Sequence, residues 1–146
     1  MKDSEHESIM VIHEKLRLSL LHVDYDVVIS PDAIIAKDVI EDMIPGATLE
    51  NVTSNTLSFV AAVSHPILGN RLVMFINPNT TDPQQPIQGI IAHEAINIAW
   101  KILTIAHIDV DESNKELLGY VVSEIVNELT DMVQTFHEKT DDLEDL

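Results

Sequence analysis

The chain contains no cysteine, which removes disulfides, thiolate metal sites and cysteine nucleophiles together and leaves any metal to His, Asp or Glu. Basic residues are scarce: Lys and Arg number 8 against 25 Asp and Glu, for a formal net charge of −17. Such a chain repels nucleic-acid phosphates and anionic lipid, so direct nucleic-acid binding is disfavoured. Docking on a basic protein surface, or imitation of a nucleic acid, is compatible with the same charge. No run reaches the ~18 apolar residues that a membrane-spanning helix requires. The start, Met1-Lys2-Asp3-Ser4-Glu5-His6-Glu7, is acidic and has neither the basic opening nor the apolar run of a signal peptide. These absences lead to the expectation of a soluble, cytoplasmic protein.

What is present suffices for one domain. With 146 residues, 45% of them hydrophobic, the chain can bury a core of its own, and we expect a single domain over residues 1–139. The closing Thr140-Asp141-Asp142-Leu143-Glu144-Asp145-Leu146 is charged and has little to bury, which predicts a disordered acidic tail over 140–146.

Ile9, Ile12, Leu16 and Leu20 recur at helical spacing and predict an amphipathic helix over residues 5–21. Asp26-Val27-Val28-Ile29-Ser30 is a β-branched run, and Ser30-Pro31-Asp32 starts a helix over about residues 31–44 that Pro45-Gly46 stops. Residues 48–63 are rich in Thr, Val and Ser, with Asn51 to Asn55 offering a turn, and together with Arg71-Leu72-Val73-Met74-Phe75-Ile76-Asn77 they predict two antiparallel strands joined by a hairpin loop over 65–70. Pro86 opens a helix running to about Ala106, and a last long helix follows Asp111. In that last helix Leu118, Val122, Ile125, Leu129, Met132, Val133 and Phe136 should face inward, and Glu124, Asn127, Glu128 and Asp131 solvent. The expected fold class is α+β: a small antiparallel or mixed sheet packed against three to four helices.

The helix after Pro86 carries His93-Glu94-Ala95-Ile96-Asn97. A zinc-protease helix of pattern H-E-x-x-H sets two imidazoles on one face, with the Glu beside them as general base. Here Asn97 occupies the second imidazole position, and a carboxamide binds Zn²⁺ far more weakly. At about 100° per residue, His93, Asn97, Trp100 and Thr104 share one side, and Ile91, Ala95, Ile98 and Ile102 the other. Because the helix is apolar nearly all round, it is expected to be central, with Trp100 buried and His93 and Glu94 in a shared cleft. The plain alternative is structural: His93 on a backbone carbonyl and Glu94 at an edge. His6-Glu7, His13-Glu14 and His137-Glu138 repeat the dipeptide on faces expected to be exposed, and no site is assigned to them.

Strand, polar loop, His-Glu helix, short link and second helix, in that order, resemble the small zincin-like metallopeptidase family of phages and prophages. The matching pieces are Leu72-Val73-Met74-Phe75-Ile76-Asn77-Pro78, His93-Glu94-Ala95-Ile96-Asn97-Ile98 and Glu112-Ser113-Asn114-Lys115-Glu116-Leu117-Leu118-Gly119-Tyr120, within roughly residues 24–135. The resemblance implies a zincin-like single domain in which His93 is the first metal ligand, Glu94 the catalytic base and Glu112 the acidic third ligand. Asn97 stands where the second His ligand belongs, and Glu116 where the family has a Tyr. Glu112 also has a local reading, as an acidic residue before the capping box Ser113-Asn114-Lys115-Glu116. His107 and His65 are the candidate replacement ligands.

The degenerate motif leads to a non-catalytic zincin-like accessory protein of phage or prophage origin that acts by binding a protein, with a basic partner and no cofactor expected. If another ligand is recruited, the chain is instead a divergent metal-dependent peptidase using Zn²⁺. A third reading, unrelated to zincins, is an acidic decoy that mimics nucleic acid and inhibits a basic host protein.

Overall fold

The computed structural model describes residues 10–19, 21, 23–65, 67 and 69–144. Its elements are β1 (Ile12–Arg17), β2 (Asp24–Ile29), α1 (Ala33–Met43), β3 (Ser58–His65), β4 (Gly69–Ile76), α2 (Ile87–Ile105) and α3 (Lys115–Glu144). The strands form one mixed sheet in the order β1-β2-β4-β3. β2 and β4 are parallel at its centre, and β1 and β3 run antiparallel at the edges. The result is an α+β domain with helices on both sheet faces.

Side chains alternate across the sheet with a period of two, and both faces of the central strands are covered. Val27, Ile29, Met74 and Ile76 face Ala95, Ile98 and Ile102 of α2 and Ile125, Leu129 and Phe136 of α3. Val28, Val73 and Phe75 point the other way, onto Ala33, Ala36 and Ile40 of α1. Each large aliphatic side chain buried in this way stabilises the fold by roughly 1.5–3 kcal/mol. Double coverage explains why β4 reads as an unbroken apolar run instead of an alternating one.

Local signals set the ends of α1. Asp32 caps it, accepting from Ile34 N (2.9 Å) and Ile35 N (3.2 Å), which satisfies two of the free donors of the first turn. After the helix, Gly46 turns the chain at φ +86°, where a side chain would be strained. The expected antiparallel hairpin forms, but β3 starts only at Ser58, residues 48–57 not being strand, and pairing reaches into the expected loop, with Gly69 at φ +76° opening β4.

Residues 12–17 are the first correction: they form β1, where helical spacing predicts a helix. Ile12 and Leu16 are four apart, a separation that fits both the strand and the helix period, and buried Leu18 continues the strand alternation onto the core. Pairing with β2 covers an edge that would otherwise be open, and Leu18 N donates to Val23 O (3.0 Å) across the turn. Residues 5–9 and Leu20 of the expected helix lie outside the described residues.

At the other end, α3 runs on to Glu144, so residues 140–144 are helical where their charge predicts disorder. Phe136 anchors this part in the core, and Thr140 Oγ1 donates to the carbonyls of Phe136 and His137 (both 3.0 Å). Asp145 and Leu146 lie outside the described residues. Among the described residues no helix is long and apolar enough to cross a membrane.

Candidate functional site

α2 divides as its periodicity predicts, with Ile91, Ala95, Ile98 and Ile102 in the core. Its other side, however, is open to solvent: Trp100 is 53% exposed and Ile96 51%. The expectation of a central helix with a buried Trp100 is therefore corrected. α2 packs against β3, β4 and α3, and a sheet carrying two helices on this face has no third layer to cover the remaining side. Apolar composition all round did not imply burial all round.

The three motif residues remain neighbours but face different ways. Glu94 is 3% exposed; its Oε1 accepts from Asn97 Nδ2 at 3.4 Å and lies 3.9 Å from His93 Nε2. The His93 side chain is 78% exposed. A metallopeptidase base must reach a metal-bound water, whereas this carboxylate is turned inward, against the Asn97 amide.

Glu112 is not brought to them. It lies in the connection after α2, 87% exposed, with its carboxylate 3.0 Å from Lys115 Nζ. His93 is twelve residues before the end of α2, about 18 Å along the axis at ~1.5 Å per residue. Asp111 organises this connection: it accepts from Ser113 Oγ (2.6 Å) and Ser113 N (2.8 Å). Those two bonds hold its carboxyl below the usual carboxylate range, the hydroxyl contributing most. Asn114 closes the turn by accepting from Asp111 N (2.7 Å) and donating to Asp109 O.

His107 follows α2 in a left-handed conformation (φ 58°) and is exposed. The side chain of His65 lies outside the described residues. Among the described residues no group of three or more His, Asp or Glu could hold a metal ion. The residues present do not fit the zinc centre that the family resemblance implies.

Two polar arrangements escaped the sequence reading, and both involve a histidine from a discounted His-Glu pair. Asp26, 2% exposed in the middle of the sheet, accepts from Arg71 Nη2 (2.9 Å) and lies 3.0 Å from His13 Nε2. β1, β2 and β4 each supply one member. On α3, His137 Nε2 lies 3.0 Å from Pro78 O and 3.1 Å from Asn79 Oδ1. A carbonyl oxygen only accepts, so this nitrogen carries the proton.

His137 also stands between two adjoining clefts of about 590 and 450 Å³, which share Ile87, Gln88 and His137. They lie beyond the carboxyl end of β4, the end of a parallel pair where ligands commonly bind. Asp82, Glu138 and Asp141 on their walls make them unfavourable for an anion. No spacing rule could have found either arrangement, because the partners are 13, 45 and 59 residues apart.

No family model matches this chain, and no curated protein or solved structure is significantly similar to it.

Proposed function

We propose that this protein acts by binding another protein and not by catalysis, on a zincin-like frame whose metal centre has been lost, as a cytoplasmic accessory protein of phage or prophage origin. The order of strand, loop, His-Glu helix, link and helix supports the frame. The orientation of Glu94 supports the loss: the residue in the position of the base is buried against Asn97, while His93 points to solvent and Glu112 pairs with Lys115.

The partner this reading fits is a basic protein. A net charge of −17 steers such a partner and repels acidic ones, and exposed Glu128, Asp131, Glu138 and Asp141 line α3. The test has two arms. Protein dialysed against Zn²⁺ is expected to retain well under one equivalent by elemental analysis; stoichiometric zinc lost in His93→Ala would overturn the reading in favour of a divergent peptidase. Affinity capture from the host at low and physiological salt should yield a basic protein whose binding weakens with salt. Release of that protein by added duplex DNA would favour the nucleic-acid decoy.

A further inference from the structure

We propose that the flank formed by the β3 edge and the outer side of α2 docks a second copy of this chain. This goes beyond the basic partner, which is met by the acidic surfaces elsewhere.

The two sheet edges differ in a way that matters for association. β1 carries Glu14, Lys15 and Arg17, all exposed, and charges of this kind keep an edge strand from pairing with another chain. β3 has the sequence Ser-Phe-Val-Ala-Ala-Val-Ser-His, without Asp, Glu, Lys, Arg or Pro. Its register with β4 is unbroken from Ser58↔Ile76 to His65↔Gly69, so no bulge bends it away. Among the described residues it pairs with β4 and no other strand.

The helix beside it continues the same surface. Ser58 at the start of β3 and His93 line one hollow, and His93, Ile96, Asn97, Trp100 and Lys101 line the next along α2. Two large apolar side chains, Ile96 and Trp100, stand out there half exposed. Exposed aromatic and aliphatic groups set together mark contact surfaces.

Charge identifies the occupant. Residues 51–108 hold only two of the 25 acidic residues, Asp82 and Glu94, leaving 25 − 2 = 23 outside that stretch, and Glu94 is buried. Two copies of a −17 chain repel one another over most of their surfaces but not here. A basic partner finds no acid to pair with on β3. An antiparallel β3–β3 pairing about a two-fold axis is self-complementary and sets no like charges opposite one another. Eight residues of strand span about 26 Å at ~3.3 Å each. The neighbouring helix, roughly 10 Å across, widens the contact beyond the strand itself.

Sedimentation equilibrium between about 1 and about 500 µM tests the proposal, with Trp100, the single tryptophan, as an internal reporter. The expected result is a monomer–dimer equilibrium whose emission shifts to the blue with concentration. Ala62→Lys, at an exposed position on β3, and Trp100→Lys should each leave monomer at the highest concentration with unchanged far-UV circular dichroism. Added salt should strengthen the dimer by screening repulsion, the opposite of its effect on a basic partner, so failure of one proposal is distinguishable from failure of the other. A wild-type monomer throughout, or a dimer that survives Ala62→Lys, would overturn it. Should Ala62→Lys fail to fold, the presence or absence of the wild-type blue shift decides.

Discussion

Ser19 donates both its backbone N–H and its hydroxyl to the two carboxylate oxygens of Glu124, 105 residues later in the chain, at 3.0 and 2.7 Å. This pair fastens the turn after β1 to α3. Glu124 is thus a structural acid, although its helical position predicts a solvated one. Glu124→Ala should lower stability by about 1 kcal/mol, whereas Glu128→Ala and Asp131→Ala, both exposed, should each stay within about 0.5 kcal/mol. Urea denaturation measures the difference. Neutralising Glu128 and Asp131 while sparing Glu124 is accordingly the way to probe a basic partner without unfolding the domain.

Tyr25 predicts an alkaline weakness. Burial, aided by the carboxylates of Glu128 and then Glu124, pushes its phenol pKa up. The unfolded chain ionises near the usual value of about 10, while the folded one holds its proton. The stability contribution is therefore complete below about pH 10 and falls as pH rises above it. In a Tyr120→Phe background, phenolate absorbance should appear only together with loss of circular dichroism, and Tyr25→Phe should flatten the pH dependence. Ionisation of Tyr25 in the intact fold would refute this.

The Asp26 cluster should respond unevenly to substitution. Arg71→Ala leaves a carboxylate that is 2% exposed with His13, 3.0 Å away, as its remaining side-chain neighbour within hydrogen-bond reach among the described residues. The expected loss is about 2 kcal/mol, below the usual value for a fully buried pair because Arg71 and His13 both reach solvent. Asp24, whose partners Lys15 and Arg17 lie 3.8 and 3.9 Å away at the surface, should change stability by less than about 1 kcal/mol when replaced by Ala. Thermal or chemical unfolding of the two variants gives the comparison directly.

Asn97→His restores two imidazoles one helical turn apart and should raise zinc affinity measurably over wild type. Because Glu112 is at the far end of α2, adding Glu112→Ala to that variant should leave the affinity unchanged. Calorimetric zinc titrations of both would show it; a tenfold loss on removing Glu112 would mean that the carboxylate reaches His93 after all.

Much of this architecture is legible locally. β2, the capped α1 with its Pro45-Gly46 stop, the β3–β4 hairpin and the inward stripe of α3 rest on patterns confined to one element or to two consecutive ones. The neighbourhood of His93, Glu94 and Asn97 is equally legible, since one helix turn holds all three. Glu112 was not, because the link after α2 decides where it goes, and a helix of 19 residues carries it away from His93.

The sequence by itself determined the period of each central element, its breakers and caps, and the uneven placement of acids along the chain, because these depend on side-chain chemistry and short-range backbone geometry. Only the tertiary structure decided that residues 12–17 pair as a strand, since their spacing suits two periods and the open edge of β2 selects between them. Likewise it alone decided that Trp100 faces solvent and that His13, Arg71 and His137 find their partners. Burial and long-range hydrogen bonding depend on which surfaces the fold brings together, and no local pattern encodes that.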